Sequence, residues 1–448
     1  MMKETTVGAD RIAALFDPGT FAEIGAYRRR ADGEPVGAVC GYGAVNGKLV
    51  YAFAQDSDRK KGAFDALQAE KIAGLYDLAC KNGAPVVGIF DSAGAYVTDG
   101  SSALAAYGKL LGSISRASGA VPQIAVIGGV CAGMAATAAA MFDLVVTVKE
   151  QSQLFVNAPF LVGKEVGTAE YAREKGLSSV TAASEEEAVA TVRALIDLLP
   201  ANAEDGVVAE NCADDVNRTV AVGANADETV ANVADAGTVI AIGEGYADEM
   251  RTYLAKFGGV ACGVVANNGP LTADGAKKAA RLVGFCDAFG MPVVTLTDSE
   301  GVAATAAEEG APLAAALGKL AMAYASATTA KITIVTGKAY GAAFTLMGSR
   351  ALGADTVYAL PTAEISTMAP ESAVAFLWND RVSETVSRAD LVAEWKEKCA
   401  TPEAAAADGS VDDVIDPAEL RQRICAAVYM LLAKNDGDPA RRHCNLPL

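Results

Sequence analysis

Histidine is almost missing from this sequence: one residue, His443, in 448. A Ser-His-Asp triad needs an imidazole held firmly as base, and the tail "RRHCNLPL" is a poor place to hold one. The stretch "FDSAG" also lacks the first glycine of a GxSxG elbow. Zinc sites built on histidine are excluded on the same count. The nine cysteines contain no CxxC pair, so a cysteine-only site lacks its spacing and no metal is expected. They read as reduced cytosolic thiols, which places the chain in the cytoplasm. Positive charge is scarce as well: 37 Lys and Arg stand against 55 Asp and Glu, a net charge of -18. Phosphate neutralisation needs basic surface, so nucleic acid and anionic membranes are unsuitable partners, although a local basic patch can still hold a small anion. No GxxxxGK[ST] occurs, and "GYGAVNG" (41–47) is followed by a strand-like run where a dinucleotide fold needs a helix.

Long apolar runs are equally few. The start, "MMKETTVGADRIAALFDPGT", has none, so no signal peptide is expected. "AVPQIAVIGGVCAGMAATAAAMF" (120–142) is long enough to span a bilayer. Gly128 and Gly129, however, divide it into a strand-like half, Ile124–Ile127, and a small-residue helical half, Ala132–Ala140. A buried strand, turn and helix is the expectation.

What the sequence does have is repetition. "APVVGIFDSAGA" (84–95) returns as "MPVVTLTDSEGV" (291–302). "FDPGTFAEIG" (16–25) resembles "ADAGTVIAIG" (234–243), and "IAVIGGVCAGMA" (124–135) resembles "ITIVTGKAYGAA" (332–343). Three blocks recur in order at offsets of 207, 218 and 208 residues, a period far too long for a solenoid and suited to a duplicated domain. The boundary is expected in the polar stretch after "LIDLLP", giving domains 1–212 and 213–448. Within each half, short runs rich in β-branched residues alternate with helical patterns. Helices are expected at 63–82, 101–118, 273–289 and 308–328, and strands near 292–297, 331–335 and 355–359. That alternation implies α/β architecture with mostly parallel, covered sheets.

Glycine sits where strands end and helices begin, in two copies: Gly133 and Gly341. Amides at a helix start lack intrahelical partners, and small residues let a ligand oxygen approach them. The turns at Ala93–Gly94 and Glu300–Gly301 end the neighbouring strands and can present further N–H groups. Two converging N–H groups make an oxyanion hole, which needs no catalytic histidine. The same glycines also suit tight strand–helix packing alone. Asp91 and Asp298 read as braces for their loops, and neither they nor Glu364 is assigned as a base.

These residues resemble the carboxyltransferase subunits of biotin-dependent acyl-CoA carboxylases and decarboxylases. The matching pieces are "RIAALFDPGTFAEIG", "VYAFAQD", "APVVGIFDSAGA", "VPQIAVIGGVCAGMAA", "VGFCDAFGMPVVTLTD", "KITIVTGKAYGAAFTLM", "PTAEISTM" and "VDDVIDPAELRQRIC", in the family's order across residues 11 to about 426. The resemblance implies two duplicated crotonase-like domains built from ββα units. It implies acyl-CoA on the N-terminal domain and carboxybiotin, carried on a separate protein, at the C-terminal domain. One oxyanion hole, mapped to Gly133 and Met134 with Ala93 and Gly94 facing them, would hold the thioester enolate. The other, mapped to Gly341, Ala342 and Ala343 with Glu300 and Gly301 nearby, would hold the ureido oxygen of biotin. Thr345 occupies the position that lines the acyl pocket in relatives. Arg59, Lys60 and Lys61 in "DRKKG" are candidates for the CoA phosphates, with "YRRR" (27–30) as a second candidate; a solvated surface run is the alternative for both.

The sequence departs from the family pattern in places. Relatives usually read SGGAR where Ser92-Ala93-Gly94-Ala95-Tyr96 stands, and CAGG has become Cys131-Ala132-Gly133-Met134. No biotinyl-lysine box and no ATP-grasp segment is found. The expected partners are therefore a biotin carboxyl carrier protein, a biotin carboxylase or a membrane decarboxylase subunit, acyl-CoA, and further copies of the chain in a dimer or hexamer. Three alternatives remain at this level: the α subunit of a sodium-pumping decarboxylase, a crotonase-type enzyme of other CoA chemistry, and a non-catalytic scaffold paralogue.

Overall fold

The computed structural model describes residues 5–30, 32–267, 269–310 and 312–434, so His443 lies outside the described residues. The chain divides into two compact units between Gly206 and Val207.

In the first unit, β1 (Ala22–Glu23), β2 (Ala38–Val45), β3 (Lys48–Gln55), β4 (Val86–Ser92), β5 (Gln123–Ala132), β6 (Leu144–Val148), β7 (Gln153–Phe155) and β8 (Val180–Ala182) make one sheet. Its order is β1-β2-β3-β4-β5-β6-β8, with β7 beside β5. In the second unit, β9 (Ile240–Ala241), β10 (Met250–Phe257), β11 (Val260–Asn267), β12 (Val293–Ser299), β13 (Lys331–Tyr340), β14 (Thr356–Ala359), β15 (Glu364–Ser366) and β16 (Asp413–Val414) repeat that order, with β15 beside β13. The first three strands of each sheet pair antiparallel and the rest parallel. All seven residues of β4 and all eight of β11 are buried, as central strands covered on both faces must be.

The helices repeat residue by residue. Asp65 caps Ala66–Asn82 by accepting the Gln68 N–H, and Gly83 ends it at φ 57°. Thr272 caps Ala273–Ala288 in the same way through Gly275. The buried stripe Ala69, Ile72, Leu75, Tyr76, Ala79 returns 207 positions later as Ala276, Ala279, Leu282, Val283, Cys286. This helical spacing turns one face of each helix onto its sheet.

Two sequence-based boundaries are corrected. The 120–142 stretch does hold a strand and a helix, but β5 runs through Gly128 and Gly129 to Ala132, and the helix is Met134–Ala140. The glycines mark a bulge, where pairing jumps from Phe90↔Ile127 to Ser92↔Cys131, so the strand continues past them to pair with β7. The expected helix 308–328 is two helices, Ala306–Gly310 and Leu313–Ser326, with Pro312 as the N-cap of the second. Proline cannot continue a helix through that point. No helix among the described residues is long and apolar enough to cross a membrane.

Candidate active site

The repeated Asp-Ser-x-Gly at the ends of β4 and β12 has a direct structural cause. Asp91 Oδ1 accepts the Val130 N–H at 3.2 Å, bracing the bulge of β5. Asp298 Oδ1 accepts the Lys338 N–H at 2.8 Å, bracing the equivalent bulge of β13. Ser92 Oγ accepts the Gly94 N–H at 3.2 Å, and Ser299 Oγ accepts the Gly301 N–H at 3.3 Å. Gly94 and Gly301 take φ of 106° and 122°, which a Cβ resists. The aspartates are structural braces. Glu364 is also engaged, accepting from the Tyr340 hydroxyl and from Lys396 Nζ. Burial works to raise its pKa, but these bonds hold it below the ordinary glutamate value.

Beside this strand end lies a cavity of about 540 Å³ whose lining includes Ala93, Gly94, Ala95, Gly133 and Met134. All four sequence-predicted residues of the first unit are therefore brought together. Their amides are not equivalent. The Ala93 N–H donates to the Lys61 carbonyl at 3.0 Å, and the Gly133 N–H donates to the Phe155 carbonyl at 2.8 Å. Gly94's is spent on Ser92. Of the four, Met134 alone has no partner for its N–H among the described residues. The N–H groups of Gly133 and Ala93, read from the sequence as donors, are therefore already taken. Gly133 is the N-cap at φ 62°, and a Cβ there would meet nothing within 4 Å, which leaves open space before the helix start. The sequence reading missed Ala95. Phe64 and Ala95 form a parallel bridge in which Gly94 O and Tyr96 N take both bonds, so the Ala95 N–H is left without a partner among the described residues. Parallel pairing always sends alternate amides to opposite sides, and that was the available signal.

The second unit repeats the pattern. The Gly341 N–H donates to the Ser366 carbonyl at 2.9 Å, which corrects its assignment as donor in the same way. Gly301's N–H is spent on Ser299. Ala342 and Ala343 have no partner for their N–H groups among the described residues; Ala342 is exposed and Ala343 buried. Val302, bridged to Leu271, is the counterpart of Ala95. Thr345 is exposed on the same short helix, Ala342–Leu346.

Arg59 and Lys60 line a second cavity of the first unit, about 470 Å³, together with Arg30, the one residue of "YRRR" brought to it. Their charges are partly matched: Arg59 with Asp56 at 3.0 Å, Lys60 with Asp32 at 3.2 Å, Arg30 with Asp65. Tyr96 lies under both Arg30 (4.7 Å to the ring centroid) and Lys60 (4.6 Å). Hydrogen bonds from Thr98 and Lys60 lower its pKa. Lys60, Lys61 and Gly62 adopt three successive left-handed conformations (φ 49°, 53° and 68°), so the lysine loop turns back and Lys61 O can meet Ala93. Lys61 itself is exposed and does not line this cavity.

Two copies of one mixed sheet, each ending in a glycine-opened helix, define a duplicated crotonase-like fold. The model of the carboxyl transferase domain matches residues 3–446. The α subunit of methylmalonyl-CoA decarboxylase from Veillonella parvula is 34% identical over 98% of this chain and 92% of its own. The propionyl-CoA carboxylase β chain of Roseobacter denitrificans is 34% identical over 98% and 93%. The crystal structure of transcarboxylase 12S, a hexamer assembly with methylmalonyl-coenzyme A bound, superposes with a TM-score of 0.94 at 33% identity, covering 99% of this chain and 93% of that one. The chain belongs to the carboxyl transferase domain family. It is a carboxyltransferase component of the acyl-CoA carboxylase and decarboxylase group.

Proposed function

We propose that this chain moves CO2 between the α-carbon of a short acyl-CoA, seated on the first unit, and biotin on a separate carrier protein, received by the second. In the decarboxylating direction the bond from the α-carbon to the carboxylate breaks, and its electron pair passes into the thioester as an enolate oxyanion. CO2 goes to the ureido nitrogen, and the proton displaced there ends on the α-carbon. The N–H groups of Ala95 and Met134 hold the enolate oxygen. Those of Val302 and Ala342 hold the ureido oxygen. Arg30, Arg59 and Lys60 face the CoA phosphates. The observation that carries this reading is the pair of unpartnered amides, Ala95 and Met134, on one 540 Å³ cavity, with the same pair repeated in the second unit. Charge developing on an oxygen is stabilised most by donors fixed beforehand.

The assay is CO2 release from malonyl-CoA or methylmalonyl-CoA by the purified chain with free biotin. Met134 and Ala342 are first helical residues, where proline is tolerated and removes the N–H; Met134→Gly, which loses the side chain but keeps the N–H, is the control for Met134→Pro. Met134→Pro and Ala342→Pro should each lower kcat by about 10²–10³-fold. Undiminished turnover in either variant sinks the assignment of that amide. Absence of turnover in the parent chain, with tight carrier binding, favours a scaffold role. The resemblance to a decarboxylase α subunit supports the second arrangement, in which the same site feeds a membrane decarboxylase subunit; association with such a subunit distinguishes it. The hexamer reported for transcarboxylase 12S supports a homo-oligomer here, which sedimentation checks.

A further inference from the structure

The duplication allows the two halves to be compared position by position, and one difference opens a site. In the first unit the helix Val7–Leu15 buries Gly8, Ile12 and Leu15. In the second, the helix Ala226–Val233 buries Ala226, Val230 and Val233, each 218 positions on. Between those residues the first helix carries Arg11. Its guanidinium donates to Asp91 Oδ2 at 2.7 Å, to Glu185 at 2.7 Å and to the Gly128 carbonyl, filling the space under the helix. The position 218 residues later is Thr229, whose short side chain bonds only locally, to the Asn225 carbonyl and the Gly223 N–H.

The consequence is a cavity of about 380 Å³ in the second unit, lined by Thr229, Asn267, Asp298, Glu300, Thr336 and Lys338 among others. Asp298 and Thr336 are the counterparts of Asp91 and Gly128 in the aligned blocks. Asp91 is only 8% exposed under its arginine, whereas Asp298 is exposed. A second observation is independent of the carboxylate. Gln55 follows Ala54 at the end of β3, and its Oε1 accepts the Asp91 N–H at 3.3 Å. Asn267 follows Ala266 at the matching end of β11 but is one methylene shorter. It is 4% exposed, lines the cavity, and neither polar atom of its carboxamide has a partner among the described residues. A buried amide without partners costs free energy that a ligand would recover. Lys338 is paired to Glu300 at 2.5 Å, so the wall, with two carboxylates and one ammonium, carries one net negative charge.

We infer that this cavity is a binding site for a guanidinium group, the chemistry that its counterpart in the first unit supplies from within. Asp298 accepts from the planar cation through its free oxygen, and the Asn267 carbonyl oxygen accepts a further N–H. A guanidinium matches a carboxylate in two-point geometry, which a neutral urea cannot reproduce in charge.

The test is calorimetric titration of the full chain with butylguanidinium, with butylurea as its neutral isostere. One site per chain is expected, with butylurea at least tenfold weaker. Thr229→Arg, which restores the internal guanidinium, should abolish binding and raise Tm, and adding Asp298→Asn should reverse the rise. Where Thr229→Arg fails to fold, Asn267→Ala serves instead, and should weaken butylguanidinium several-fold. N-acetylargininamide binding as tightly as butylguanidinium assigns the group to an arginine side chain of a docked polypeptide; its exclusion assigns a free small cation. Equal binding of butylurea, or unchanged binding in folded Thr229→Arg, overturns the inference.

Discussion

A Cβ placed on Gly62 would stand 1.9 Å from the carbonyl oxygen of Asp91. The lysine loop and the end of β4 therefore touch backbone to backbone, and the bond from Ala93 N–H to Lys61 O is made at that contact. Gly62→Ala should destabilise the chain twice over: by about 1–2 kcal/mol for a left-handed alanine and by about 1–3 kcal/mol for crowding against main chain. Denaturant midpoints at constant m measure it. A midpoint unchanged from the parent would mean that this contact is not made.

Arg11 and Asp91 are both largely buried, with 12% and 11% of their side chains exposed. Arg11→Met leaves the carboxylates of Asp91 and Glu185 without their cation. Losing one member of a buried pair costs about 3–5 kcal/mol. The loss should be recovered in part by adding Asp91→Asn, which a double-mutant cycle reads directly.

Lys278 is a pH-dependent element of the second unit. Its amine donates to the Tyr246 carbonyl at 2.7 Å, and burial lowers its pKa to about 8, against the pull of Asp248, Glu249 and Asp227 and assisted by Arg251. The reason is visible in the repeat. The matching Lys71 has Glu23 at 3.2 Å, whereas the residue 218 positions after Glu23 is Ala241. Between pH 8 and the unfolded lysine value near 10.4 the unfolded chain holds this proton more firmly, so the contribution of Lys278 to stability rises with pH across that window, by about 3 kcal/mol. It runs against the opposite slope of the buried thiols Cys40, Cys262 and Cys425, whose pKa values burial raises, and is read as a difference from the parent. Below pH 8 both states are protonated and the slope vanishes. Ala241→Glu should supply the missing partner and flatten the rise, measured by urea unfolding from pH 7 to 10.

Met134 exposes 39% of its surface and lines the 540 Å³ cavity. Met134→Gly keeps the amide and removes the side chain. Turnover of ethylmalonyl-CoA relative to malonyl-CoA should then rise on the order of tenfold, since one methylene in an apolar pocket is worth about 10–200-fold. An unchanged ratio would place the acyl group elsewhere.

Much of this was legible in the residues. The alternation of apolar runs and helical stripes, Asp-Ser-x-Gly written twice, and the offsets near 207 residues announced a doubled α/β unit, because local sequence sets backbone conformation and which face is buried. The glycine-opened helices at Gly133 and Gly341 were readable for the same reason: only glycine accepts φ of 62° and 55° with ψ near -120° to -130°. Whether an amide is free is a different kind of fact. The N–H of Gly133 is taken by Phe155, 22 residues away, and that of Gly341 by Ser366, 25 residues away, through strands β7 and β15 that local pattern barely marks.

The sequence by itself thus determined the doubling, the alternation of strand and helix, and the two glycine junctions, since each is a property of neighbours along the chain. Only the tertiary structure decided which N–H groups are left without partners among the described residues, and that Thr229 and Asn267 leave a polar cavity where Arg11 and Gln55 close one. Both outcomes depend on which distant groups satisfy each donor and fill each space, and those partners exist only once the sheets have assembled.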